Sequence, residues 1–375
     1  MRRWWLNVWL LVVKELHSLR RDKVMMFLIT FAFSVAIVVV AHGVKAEVSN
    51  ASVAMIDNDR SELSRALRQA IRRPYFQPPE DVAPADVARR MDSGHYIFVI
   101  EIPPRFQSDL LAGRQPTVQL LVDATAMTQA GLGASYLQQM FTQEVLNFLN
   151  AHGMAAQLPF RVQPRILYNP NALSPWYMSV MQNVMNVTVL SIILVGAAVI
   201  REREHGTIEH LLVMPVRASQ IAFAKILANG FVILVAAMLS LVVVVHLLMG
   251  VPIAGSLLLF GFALFLYLFF ATSLGMWMAT MTNSMPQFGM FAVPVYVTLY
   301  MLSGAATPLE SMPGLVQAVA TALPSTQFVI LAKAVLYRDA DVRIVLPQLA
   351  IIAAWGAFFM TLAISRFRQM LARQG

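Results

Sequence analysis

Six stretches of this chain run for about 18 residues or more without a charged side chain, long enough to cross hydrocarbon as a helix. They are Val24–Ala41, Trp176–Ile200, Ile226–Met249, Ser256–Met281, Phe288–Ala306 and Val345–Ser365. Composition agrees: 58% of the 375 residues are hydrophobic and 13% charged, with 23 Met and 22 Phe. Soluble domains hold about 45–50% apolar and about 25% charged residues, so a chain like this could not cover its own surface with polar groups. A soluble enzyme, a disordered chain and collagen are excluded. The reading is an α-helical integral membrane protein.

The formal charge is +8, and its placement fixes topology rather than marking a nucleic-acid surface. Arg2, Arg3, Lys14, Arg20, Arg21 and Lys23 precede the first run. Arg201, Arg203, Arg217 and Lys225 follow the second, and Arg366, Arg368 and Arg373 follow the last. With six spans all three basic groups fall on one face, which the positive-inside rule assigns to the cytoplasm together with both termini. Within residues 1–23, Arg3, Asn7, Lys14 and Ser18 oppose Trp5, Val8, Trp9, Val12, Leu16 and Leu19, which suits a helix lying in the headgroup plane. The long basic, Trp-rich lead makes Val24–Ala41 an uncleaved anchor rather than a cleaved signal peptide.

Residues 45–174 differ. They are rich in charge and carry joints at Pro74, Pro78, Pro79, Pro103, Pro104 and Pro159. Ala51–Ile56, Tyr96–Ile102 and Val118–Val122 read as strands; Arg60–Ile71, Ala85–Met91 and Gln129–Leu149 read as helices. Alternating strands and helices predict a compact α/β domain between the first and second spans, on the far side of the membrane from the termini. Residues 175–375 hold the remaining spans. Between the last two, residues 307–344 are broken by Pro308, Pro313 and Pro324; Met312–Leu323 is too short to cross and reads as a re-entrant or interfacial hairpin.

The chemical inventory is thin. There is no cysteine, which excludes thiolate, Fe–S and disulfide chemistry. No G-x-x-x-x-G-K-[ST], H-E-x-x-H or G-x-S-x-G occurs. His205, Glu209 and His210 make at most a weak metal site. Ionisable groups are almost absent from the predicted spans, and His246 sits near a span's outer end, so an internal proton pathway has nothing to run on. The most loaded segment is 201–216: Arg201, Glu202, Arg203 and Glu204 at the mouth of a span, Gly206 to bend, Thr207 to cap, Glu209, then the apolar Leu211 and Leu212. Mixed charge around an apolar centre predicts a docking surface.

The run R-E-R-E-x-G-T-x-E-x-L-x-x-x-P at 201–215 resembles the hallmark of the ABC-2 family of ABC-transporter permeases. Lys14–Glu15–Leu16 with Arg21–Asp22–Lys23, the large domain after the first span, and the break from Ser303–Gly304 to Pro308 agree with it. The chain looks most like inner-membrane permeases of bacterial exporters that work with an HlyD-type periplasmic adaptor and an outer-membrane channel. The resemblance implies six membrane helices of the type V exporter kind with a periplasmic α/β insert, and a cytoplasmic connecting helix carrying Lys14, Glu15, Arg21 and Asp22. It implies a coupling helix spanning Arg201–Leu212, with Met312–Leu323 as the outer re-entrant pair. It further implies a dimer with itself or a related permease, and separate ATPase subunits that hold ATP and Mg, the chain itself being no enzyme and carrying no cofactor. A pathway for hydrophobic or amphipathic cargo is expected from Met181, Met185, Asn186, Met290, Phe291, Tyr296 and Met301, with Pro294 kinking its helix and Asn183 and Asn186 bonding across the dimer. Two rivals stay open: a proton- or ion-driven secondary transporter, and a membrane-anchored scaffold or receptor acting through its outer domain.

Overall fold

The computed structural model describes residues 2–43, 50–92, 95–123, 127–153, 174–204, 206, 216–309 and 312–372. They divide into two compact units, one of membrane-type helices and one α/β.

The helical unit starts with α1 (Arg2–Arg21), followed at once by α2 (Lys23–Ala32) and α3 (Val35–Gly43), which together make a first candidate span. Asp22 separates α1 from α2 as an N-cap, its carboxylate accepting from Met25 N at 3.1 Å. Val8, Leu11, Val12 and Leu19 are the buried face of α1, whereas Trp5, Leu6, Trp9 and Leu10 are exposed. The helix thus has two apolar faces, one against protein and one outward, as an interfacial helix requires. The ladder of the first span is interrupted at Phe33 and Ser34. Neither Pro nor Gly causes this. Side chains from other helices meet the carbonyls there: Asn186 Nδ2 donates to Ala32 O at 2.6 Å and Ser240 Oγ to Phe33 O at 2.5 Å, which is the condition for irregular backbone at membrane depth.

The other candidate spans are α8 (Ser174–Glu204); α9 (Ala218–Ser240), continued by a π-helical stretch Leu241–Leu248; α10 (Leu257–Thr280); α11 (Met285–Leu302); and α14 (Val342–Ala372). Length and composition therefore allow six crossings, each where an uncharged run lies. The chain is a multi-pass membrane protein. Helix α8 is the buried centre, and small residues let it approach its neighbours. A Cβ on Gly275 would stand 2.7 Å from Ile192 O, and one on Gly196 would meet the Phe288 ring at 2.0 Å. Pro294 does not interrupt α11.

Between α11 and α14 stand α12 (Gly314–Ala322) and α13 (Pro324–Arg338), bent by 79° at Leu323. The hairpin is longer than the expected Met312–Leu323, because Pro324 opens a second helix at a position where its missing N–H costs nothing. Helix α13 is largely buried. Tyr337 Oη donates to Trp176 O at 3.0 Å and Lys333 Nζ to Gly304 O at 2.8 Å, pinning α13 to the start of α8 and the turn after α11, which Tyr177 Oη joins to each other by donating to Ala305 O at 3.2 Å. His246 Nδ1 lies 2.9 Å from Val251 O at the exposed end of the π-helical stretch, consistent with an interfacial position.

The second unit is built on a four-stranded sheet of order β2-β1-β3-β4, with β1 (Val53–Asp57), β2 (Glu80–Asp81) and β3 (Phe98–Ile102) parallel and β4 (Gln119–Val122) antiparallel to β3. Helices α4 (Glu62–Ala70), α5 (Pro84–Asp92), α6 (Phe106–Leu111) and α7 (Met127–Ala151) complete it. Alternation sorts the strands: Val53, Met55, Phe98, Ile100 and Ile102 pack with Leu63, Leu67, Phe76 and Leu137, while Ala54, Ile56 and Val99 face Val87 and Tyr96.

Candidate functional site

Helix α8 leaves the core with four successive charges, and each reaches a different part of the membrane unit. Arg201 pairs with Asp22 at the head of α2. Glu202 Oε1 lies 2.9 Å from Lys225 Nζ on α9. Arg203 donates to Thr282 O just past the end of α10, and Glu204 accepts from Met285 N, the first residue of α11, at 3.0 Å. A helix turn spreads consecutive side chains by about 100°, so four adjacent long polar residues can clamp four surrounding elements. Gly206, at φ +68°, then turns the chain out of the helix as its N–H bonds to Arg203 O.

Lys225 is the centre of this arrangement. It is 1% exposed, with Glu15 Oε1 of α1 at 3.0 Å and Glu202 at 2.9 Å. Lys14, half exposed, adds a weaker contact to Glu202 at 3.4 Å. An ammonium taken out of water costs several kcal/mol unless opposite charges and hydrogen bonds replace hydration. Two carboxylates from two helices do so here, so α1, α8 and α9 are tied at one point. A polar cavity of about 260 Å³ adjoins the cluster, lined by Glu15, Ser18, Arg201, Glu202 and Asn229 among others. At Asp22, burial alone would raise the carboxyl, but the Met25 N–H and the Arg201 guanidinium hold it below the usual carboxylate range.

The expected coupling residues fall in two groups. Arg201, Glu202, Arg203, Glu204, Lys14, Glu15 and Asp22 gather in this cluster, engaged with their own chain rather than offered as the rim of a docking surface. Pairing within the chain offsets the cost of leaving such charges bare beside apolar helices, while Lys14 and Glu204 also stay exposed. Arg21 is exposed and makes no ion pair among the described residues. Thr207, Glu209, Leu211 and Leu212, with His205 and His210, lie outside the described residues; among those described, no three metal-ligating side chains converge. The buried pairing of Lys225 escapes a sequence reading that places the lysine just ahead of a span. Helix α9 begins at Ala218 and carries it inside, and a lone Lys in the run Ile221–Gly230 is the signal that could have shown it.

The expected pathway residues also separate. Met181 and Met185 are buried within the chain, Ser303 Oγ lying 3.9 Å from Met185 Sδ. Asn186 holds the break in the first span, and Asn183 Nδ2 donates to Ala237 O at 3.3 Å, so both amide donors are used inside the chain rather than across a dimer. Met290 and Met301 are exposed on α11 in line with Val293 and Val297. Phe291 and Tyr296 are half-buried, near Trp277 and Tyr300.

A family model described as ABC-2 family transporter protein matches residues 23–365. The inner membrane transport permease YhhJ of Escherichia coli (strain K12) is 44% identical over 97% of this chain and 98% of its own length. Two proteins of the same strain named as probable multidrug ABC transporter permeases are more distant. YbhR is 26% identical over 94% of this chain and 96% of its own, and YbhS is 25% identical over 87% of each.

Proposed function

This chain belongs to the ABC-2 family of transporter proteins, and we propose that it is the permease subunit of an ATP-driven exporter carrying a hydrophobic or amphipathic substrate out of the cytoplasm or the inner leaflet. The observation that carries this reading is the fourfold clamp of Arg201–Glu204 on α2, α9, the end of α10 and the start of α11. A push on the segment after Gly206 reaches all four at once, through two ion pairs and two hydrogen bonds to backbone. Permeases of this family work with ABC ATPase subunits; here the ATPase docks on residues 207–216, where Leu211 and Leu212 supply the apolar centre and Glu209 the charge. The clamp behind them transmits the motion. ATP and Mg stay on the partner, and this subunit performs no chemistry.

The exposed line Met290, Val293, Val297 and Met301 on α11 faces a second copy or a related permease, and the cargo path runs along it with Phe291 and Tyr296. Such soft side chains accept varied apolar shapes. The relatives' names support an inner-membrane location in a bacterium, and the basic flanks support cytoplasmic termini with the α/β unit in the periplasm. There it would meet an HlyD-type adaptor leading to an outer-membrane channel.

The test is substrate-stimulated ATP hydrolysis by the permease reconstituted with its ATPase. Charge reversal at Glu209 should weaken assembly, whereas Glu204→Arg should leave assembly intact and remove most of the stimulation. If both variants assemble and respond like the parent, the coupling role is wrong.

A further inference from the structure

A cavity of about 480 Å³ lies between α1, α9 and α10, apart from the ionic cluster and from the exposed line on α11. Trp5 and Trp9 of α1, Gly230 and Phe231 of α9, and Phe265 and Thr272 of α10 are among its lining residues. Its lining is almost wholly apolar, and the Thr272 hydroxyl is already used on Leu268 O. Trp5 is 58% exposed and Trp9 64%, so the groove opens outward. Its volume lies within the range of ligand-binding clefts.

We propose that this groove holds one acyl chain of an anionic phospholipid. The helices on two sides are candidate spans and the third is interfacial, so the mouth stands at the boundary of hydrocarbon and headgroups, where an apolar trench is filled by lipid tails. Charge selects the headgroup. Arg20, one helical turn beyond Leu16, and its neighbours Arg21 and Lys23 are exposed and make no ion pair among the described residues, and Glu15, the one acid on α1, is occupied by Lys225. The C-terminal end of α1, beyond Leu16 of the groove, therefore presents uncompensated positive charge, which draws anionic lipid. Glycine at 230 leaves the α9 side of the groove open. A Cβ there would sit 3.7 Å from Leu268 Cβ and 3.8 Å from Thr272 Cγ2, ordinary contact, while any longer side chain would grow into the trench. The site does not depend on the exporter reading, since it uses neither the segment after Gly206 nor a second copy.

The experiment is native mass spectrometry of the full-length permease in detergent, titrated with phosphatidylglycerol or phosphatidylethanolamine. Parent protein should take up one phosphatidylglycerol saturably and bind phosphatidylethanolamine about tenfold more weakly, about 1.4 kcal/mol. Gly230→Leu should weaken phosphatidylglycerol about tenfold, while Gly230→Ala should not change it. Thr272→Leu, filling the groove from α10 instead of α9, gives the same test should Gly230→Leu fail to fold. Equal affinity for the two lipids, equal binding by the parent and the groove-filled variants, or exclusion of lipid on dimer formation would each overturn the proposal.

Discussion

Replacing Lys225 by methionine is the sharpest single perturbation of this structure. Methionine keeps the length and apolar stem and removes the ammonium that Glu15 and Glu202 share at 3.0 and 2.9 Å. Those carboxylates are themselves mostly buried, with side chains 11% and 16% exposed. They would be left as two like charges that have lost their buried cation, and the contact from the half-exposed Lys14 at 3.4 Å is of the surface kind, contributing at most about 1 kcal/mol. Removing one partner of a buried pair costs about 3–5 kcal/mol. For a chain this large that is a fall of roughly 5–10 °C in thermal midpoint, taking about 2 °C per kcal/mol. The triple variant Lys225→Met, Glu15→Gln, Glu202→Gln removes the charges together and should recover most of the loss, since well-packed neutral replacements of buried ion pairs are close to neutral. Thermal unfolding of the purified permease in detergent measures both. ATP hydrolysis in the reconstituted complex then separates the roles: the stable triple variant should assemble with the ATPase yet show little substrate stimulation. A single variant whose midpoint stays within about 1 °C of the parent would refute the energetic argument, and full stimulation in the triple variant would refute the mechanical one.

Three further expectations follow from the packing. Gly275→Leu should be destabilising by about 2 kcal/mol or more, because its first side-chain atom already meets Ile192 O at 2.7 Å; a reduced yield of folded protein on size-exclusion chromatography would show it. Asn186→Leu withdraws the donor from Ala32 O and should cost about 1–3 kcal/mol, read as a lower thermal midpoint, with Asn186→Gln milder. Asp22→Asn keeps a good cap but loses the pairing with Arg201. Since the folded carboxyl is held low, its stabilisation is complete above the unfolded value of about 3.9 and disappears as pH falls through the lower folded value. The parent should therefore exceed the variant in midpoint near neutral pH, by about 1 kcal/mol or less given the exposure of Arg201, and match it in strong acid; a gap that grows on acidification would contradict the sign.

The spans were legible because an uncharged apolar run of sufficient length has few other fates, and the strands around Val53, Phe98 and Gln119 because alternation and β-branching mark a pleated surface. Glu80–Asp81 was not legible: two acidic residues carry no strand pattern, and they become a strand only by lying beside Ala54 and Met55. The turn before α6 hides in Arg105, whose φ of +62° no residue-type preference announces. At the site, the run Arg201–Glu204 was conspicuous, but its direction was not. A string of mixed charge reads the same whether it faces a partner or its own helices, and only the positions of Asp22, Lys225, Thr282 and Met285 decide. Asn183 and Asn186 misled for a similar reason, since polar residues in apolar helices bond whichever carbonyl the fold exposes.

The interruption at Phe33 and Ser34 bears on how the protein is made. Ser34 of the segment itself bonds Thr30 O through its hydroxyl, which favours a local irregularity, while the two outside donors, Asn186 and Ser240, leave the ribosome long after the segment has entered the bilayer. The interruption is therefore completed late, when α8 and α9 arrive, and records assembly as well as an instruction carried by Ser34.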